Sequence, residues 1–161
     1  MHRNVARVVA AGEALGLVVV PVESSESTRT AAEAAAAIGV ELGQIVKSLV
    51  FTVDGDAVMA LVRGDRQLDE SKLAALAGGS SASRPDADTV RAATGFPVGG
   101  VAPFGHDNPL PLFVDEGLLE FAEVWAAAGT PHVNFAVDPA KLVTATGGRV
   151  SDLTRGPAQS D

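Results

Sequence analysis

The chain has no cysteine and no tyrosine. Without cysteine there is no disulfide framework, no thiol nucleophile and no cysteine-based metal site. Its three histidines, His2, His106 and His132, fall at spacings that match no metal-ligand motif, so neither a metal nor another cofactor is expected. No stretch approaches the ~20 consecutive apolar residues of a membrane span, and the opening Met-His-Arg-Asn-Val-Ala-Arg lacks the apolar core of a secretion signal. A cytoplasmic protein is expected. Positive charge is also scarce: 12 Lys and Arg against 20 Asp and Glu give a net charge of −8. That argues against DNA binding and against sequence-blind attachment to any nucleic-acid backbone, while leaving room for a small basic pocket that grips one end of an RNA. Also missing are a phosphate-binding loop, a dinucleotide fingerprint after a strand, a Ser-His-Asp arrangement and a paired-carboxylate motif.

What is present is an ordinary globular composition, 47% hydrophobic and 20% charged over 161 residues, enough for one domain with a sizeable core. No repeat or linker divides residues 1–161. The organising stretch is Ile-Val-Lys-Ser-Leu-Val-Phe-Thr-Val, residues 45–53, which is β-branched and halts at Asp54-Gly55, a strong hairpin signal. Alternation places Ile45, Lys47, Leu49, Phe51 and Val53 on one face and Val46, Ser48, Val50 and Thr52 on the other, a pattern for a central strand. Lys47 is then the one charge among large hydrophobes. Either its stem is buried and its head escapes to water, or the head meets an anion; the anion is the favoured reading, because an unpaired buried ammonium costs several kcal/mol. A two-residue turn pairs Val53 with Asp56 and sets Lys47 opposite Val62, whereas a slip of one turn residue sets Gly64 there; either way residues 64–66 begin close to the lysine.

Around this hairpin the periodicity predicts helices over 4–15, 31–38, 70–77, 86–94 and from Asp138-Pro139 to about Thr146. Thr30 with Glu33 fits a capping box, Asp69 an N-cap, and Gly16, Gly39, Gly78 and Gly95 are stops. Strands are predicted at 17–22, 57–63, 80–84, 110–114, 124–128 and 132–137, with a helical turn within 115–123. The tail from Thr154 onward (154–161) is expected to be disordered. Short strands interspersed with helices imply a mixed α/β (α+β) domain with a mostly antiparallel sheet flanked by helices.

Three places carry candidate chemistry besides Lys47. Residues 96–105, Phe-Pro-Val-Gly-Gly-Val-Ala-Pro-Phe-Gly, break all periodicity. They fit either a backbone cradle for an oxyanion or a tight corner needing positive φ. His132 and Asn134, in Thr-Pro-His-Val-Asn, share a strand face and suit proton transfer or hydroxyl binding, or else a satisfied strand start. Arg63 and Arg66 either add charge near an anionic group or pair with Asp65 or Asp69. His106 reads as a surface turn, and Glu120/Glu123 as solvated surface.

Taken together, Ile-Val-Lys-Ser-Leu-Val-Phe, Val-Gly-Gly-Val-Ala-Pro-Phe-Gly, and Ala-Gly-Thr-Pro-His-Val-Asn followed by Leu-Val-Thr-Ala-Thr-Gly-Gly-Arg-Val-Ser-Asp-Leu resemble the YbaK/ProX family, free-standing relatives of the editing domain of bacterial prolyl-tRNA synthetase. The resemblance covers about Thr28 to Leu153, in order and spacing. It implies a compact domain that hydrolyses mischarged aminoacyl-tRNA, typically tRNA(Pro) carrying a small wrong residue such as alanine or cysteine, with prolyl-tRNA synthetase as a possible partner. Lys47 matches the family's strand lysine, thought to engage the terminal phosphate or adenosine. Gly99, Gly100, Val101, Ala102 and Pro103 match its Gly-x-x-x-Pro loop, with the Gly99 and Gly100 amides as oxyanion donors. Ser48, Arg63, His132 and Asn134 complete the expected substrate-binding set. Some relatives carry an acidic residue near the Asn134 position, and certain members a pocket tyrosine near Val22 that this chain lacks. Two other readings remain: a non-catalytic binder of a nucleotide or tRNA acceptor end, perhaps docked on a synthetase, and a purely structural partner protein.

Overall fold

The computed structural model describes residues 1–155. Its centre is the predicted hairpin, β2 (Val46–Val53) and β3 (Asp56–Arg63), between α2 (Ala31–Ile38) and α3 (Glu70–Leu76) in the chain. Asp54 and Gly55 both have positive φ, 50° and 92°, as a two-residue turn matched to strand twist requires. Val53 pairs with Asp56 and Lys47 with Val62, in the predicted register.

A five-stranded sheet has the order β4 (Ala82–Ser83), β2, β3, β5 (Leu112–Asp115), β8 (Arg149–Ser151). The β2 pairings are antiparallel, whereas β3–β5 and β5–β8 are parallel. A separate three-stranded antiparallel sheet joins β1 (Val22–Glu23), β7 (Val133–Val137) and β6 (Val124–Ala127). The strands therefore divide into two sheets, and β8 was not foreseen. Helices α1 (Arg3–Ala14), α4 (Ala87–Thr94) and α5 (Pro139–Thr146) complete the domain.

The hairpin is buried on both faces, which is why its residues are apolar throughout. Val46, Val50, Met59 and Leu61 join Phe96, Phe104 and Phe135 in one core layer, while Phe51, Val58, Ala60 and Val62 meet Leu73, Phe113 and Leu153 in the other. The predicted caps form: Thr30 and Glu33 make a reciprocal capping box, and Asp69 and Asp138 accept N–H groups of the turns they start; Asp86 does the same for α4.

Two expectations need correction. Residues 17–21 alternate in burial, with Leu17 and Val19 inside and Val18 and Val20 exposed, but only Val22 and Glu23 pair with another strand. Thr154 and Arg155 are not loose: Thr154 is buried and bridges Leu68, and Arg155 N–H donates to the Gln67 carbonyl at 3.0 Å. The rest of the expected tail lies outside the described residues.

Candidate active site

A cavity of about 560 Å³ opens beside β2. Its walls come from the connector before α2 (Thr28, Arg29), from β2 (Val46 to Phe51), from Arg84 after β4, and from Gly99, Val101 and Asn134. Among the described residues its charged lining is Arg29, Lys47 and Arg84, with no carboxylate. In a chain with 20 acidic residues, that is a local reversal of sign. Arg29 and Arg84 are exposed at the rim and form no ion pair among the described residues. Arg84 lies 5.5 Å from the centre of the Phe51 ring, which keeps its guanidinium over the cleft wall.

Lys47 is half-buried at the cleft wall and pairs with no carboxylate among the described residues. Its Nζ donates to the Arg66 carbonyl, a neutral acceptor that leaves the ammonium without an ion pair among the described residues. That carbonyl belongs to a short segment fixed from behind: Gly64 N–H donates to the Ile45 carbonyl at 2.8 Å, and Arg63 grips Asp65 through two bonds of 2.7 Å. Burial pushes the Lys47 ammonium below its ordinary value, Arg84 pushes the same way, and Asp65 opposes both. The amine is thus half-desolvated, with donor capacity left for a ligand anion.

Arg63 itself does not line the cleft, contrary to expectation. Besides Asp65 it reaches Glu120 at 3.2 Å and stacks 4.8 Å from the centre of the Phe121 ring. It is a strut for the segment that receives Lys47.

The Gly/Pro loop divides by position. Gly99 lines the cleft with φ +91°, and a Cβ there would stand 2.6 Å from Arg29 Cγ, so the arginine stem lies directly against it. Gly100 does not line it. Its N–H donates to the Pro97 carbonyl at 2.9 Å, and a Cβ would press on the Thr130 backbone at 2.8 Å. The expected Gly100 oxyanion donor is already engaged. Val101 lines the cleft, whereas Ala102 and Pro103 are buried behind it. The Ala102 carbonyl accepts from His106 Nε2 at 2.7 Å, so His106 is a brace for the loop rather than a surface turn, and burial lowers its pKa.

His132 and Asn134 also separate. Asn134, 3% exposed on β7, lines the cleft and donates to Thr28 Oγ1 at 2.8 Å; Thr28 in turn donates to the Pro131 carbonyl at 2.9 Å. His132 sits in the preceding turn, exposed, its Nδ1 3.3 Å from the Glu26 carbonyl and outside the lining. Ser48 is at the wall, and its Oγ is buried with no partner among the described residues. Arg29, Thr28 and Arg84 are site residues that the sequence did not mark. Each sits in a loop or at the end of a two-residue strand, where no periodicity says which way it faces.

A mixed α/β domain with a cleft whose charged lining residues are all cations, bordered by a glycine turn and a strand lysine, has the chemistry to take a small anionic or nucleotide-bearing ligand. Residues 25–145 match the family model described as the aminoacyl-tRNA editing domain, and the chain belongs to that family. A crystal structure described as a proposed trans-editing enzyme for prolyl tRNA synthetase superposes with a TM-score of 0.90 at 46% identity, covering 97% of this chain and 99% of that one. An Enterococcus faecalis protein, provisionally named the Cys-tRNA(Pro)/Cys-tRNA(Cys) deacylase EbsC, is 28% identical over 81% of this chain and 80% of its own length. A proline--tRNA ligase of Maridesulfovibrio salexigens is 46% identical over 98 residues, 60% of this chain, and the match spans only 17% of the ligase.

Proposed function

We propose that this chain discharges tRNA(Pro) carrying a small non-cognate amino acid, alanine or cysteine, acting on the ester that joins the residue to the terminal ribose. The observation that carries the reading is that the charged residues of the cleft lining, Arg29, Lys47 and Arg84, are all cations. Arg29 and Arg84 at the rim suit the phosphates of the acceptor end, and Lys47, inside, suits the terminal nucleotide. The inner wall, formed by Val50, Val101 and Ala127, suits a small apolar side chain.

Hydrolysis of an activated ester requires positioning and a polarised carbonyl more than a strong nucleophile. Water attacks the carbonyl carbon, and the π pair moves onto the carbonyl oxygen. Collapse of that intermediate breaks the bond to the ribose oxygen, which leaves with a proton from the attacking water. Among the described residues no carboxylate or imidazole lines the cleft to act as base, which leaves the substrate's own ribose hydroxyl to orient the water. Gly99 is the loop glycine whose N–H carries no backbone bond among the described residues and stands at the cleft.

The test is discharge of alanyl-, cysteinyl- and prolyl-tRNA(Pro) by purified protein, with Lys47→Ala as the inactive control. The small residues are expected to be released and proline spared. Binding of the acceptor end without release of any residue would select the non-catalytic alternative.

A further inference from the structure

Six consecutive residues of β2, Val46 to Phe51, line the cleft. Strand side chains alternate between faces, and here Val46 and Val50 enter one core layer while Phe51 enters the other. A consecutive run of lining residues therefore means that the cleft follows the backbone edge of the strand. The pairings agree. On one side β3 accompanies β2 throughout; on the other, β4 reaches only Thr52 and Val53, and a single bridge joins Ile45 to Trp125.

The phase of the ladder decides which peptide groups face this gap. Gly64 N–H donates to the Ile45 carbonyl and Val53 pairs with Asp56 across a two-residue turn, so residues 45, 47, 49, 51 and 53 direct their N–H and C=O groups to β3. Ser48 and Val50 direct theirs the opposite way, into the cleft, where nothing among the described residues bonds them. The unpartnered Ser48 Oγ lies at the same place.

We propose that this open edge is the recognition site for the aminoacyl group itself: the substrate's amino acid docks as a one-residue strand. Its α-ammonium donates to the Ser48 carbonyl. Its ester carbonyl accepts from the Ser48 N–H if it lies antiparallel, or from the Val50 N–H if it lies parallel. An aminoacyl ester carries the donor and acceptor of one strand residue, and edge pairing is indifferent to side-chain identity. In a cleft without a carboxylate, backbone carbonyls supply the acceptors that an ammonium needs. A prolyl group, with its ring bonded to that nitrogen, brings carbon against the edge where alanine brings hydrogen. The engaged N–H then stands beside the carbonyl oxygen as charge develops on it.

This rests on the deacylase reading, and the tests separate the two. In an ¹⁵N-labelled sample titrated with 3′-alanylamino-3′-deoxyadenosine, an amide analogue that resists hydrolysis, the Ser48 or Val50 amide proton should move downfield and exchange at least about tenfold more slowly. If the Val101 and Arg84 resonances report binding while both of those amides stay unmoved, the edge proposal is overturned and the deacylase reading stands. Ser48→Pro and Val50→Pro each delete one cleft-facing N–H without removing a ladder bond to β3, a place where a strand tolerates proline. One of the two should lower kcat by about 10²-fold or more. Wild-type kcat in both would overturn the proposal, and if either variant fails to fold, the titration of the unaltered protein decides. A protein that discharges none of the three tRNAs sinks the underlying reading instead.

Discussion

Because the cleft's cations stand alone in an acidic protein, their contribution can be read from salt dependence. Each phosphate of a single strand neutralised by a cation steepens log K against log salt by about 0.7. Arg29, Lys47 and Arg84 together allow a slope near −2.1, so raising salt from about 50 to 200 mM should weaken binding of an acceptor-end RNA about 18-fold. Replacing one rim arginine by glutamine should bring the slope to about −1.4 and the loss over that range to about 7-fold. Arg29 and Arg84 are the residues to change, because neither holds an ion pair among the described residues, whereas the Lys47 amine also serves the Arg66 carbonyl. The assay is fluorescence anisotropy with a labelled RNA ending in the acceptor sequence, for the unaltered chain, Arg29→Gln, Arg84→Gln and the double variant. Lys141→Gln, exposed on α5 and outside the cleft, is the control. A slope that does not change in the arginine variants, or changes equally in the control, refutes the assignment of these two residues to phosphates.

Lys47→Met should abolish discharge while leaving the melting midpoint within a few degrees, since the loss of one donor to Arg66 is offset by removing a half-desolvated charge. Gly100→Ala should cost about 1–3 kcal/mol in denaturant unfolding, because the new methyl meets Thr130 backbone at 2.8 Å. Gly99→Ala, whose neighbour is the movable Arg29 stem, should cost only the ~1–2 kcal/mol of its positive φ yet impair catalysis more. Thr30→Ala removes the side-chain acceptor of the Glu33 N–H, one half of the capping box on the helix beside the cleft, and should cost about 1 kcal/mol. His106, whose pKa burial lowers, binds its proton less readily folded than unfolded. Stability should therefore fall as pH drops below about 6.5, and His106→Gln should remove that part of the acid sensitivity, as read by unfolding at pH 5 to 8.

The features legible in the sequence were those fixed by neighbours in the chain. Asp54-Gly55 set the hairpin register to the residue, and Thr30/Glu33 and Asp138-Pro139 marked helix starts through bonds made within one turn. What escaped depends on distant pairing. Arg149–Ser151 is too short and too exposed to show alternation, and becomes a strand only because β5 lies parallel to it. For Arg63 the sequence leaves two roles open, an anionic ligand or an ion pair, and Asp65, two residues on, settles it as the pair. His132 and Asn134 share a face only in a continuous strand; β7 begins at Val133, which leaves the histidine in the turn.

The open edge of β2 also bears on why such a site persists. An unpaired strand edge invites pairing with other chains, and proteins blunt it with charge, bulges or cover. Here the gap is walled by the Gly99–Val101 turn and the connector at Thr28–Arg29, with Arg29 and Arg84 at its rim. A second polypeptide strand would have to displace those walls and bury two unpaired guanidinium groups, a cost of several kcal/mol. A single residue tethered to a phosphate chain meets the same groups as partners. The features that protect the edge from aggregation therefore select, by charge and by length, a ligand that is one amino acid long and carries its anions behind it.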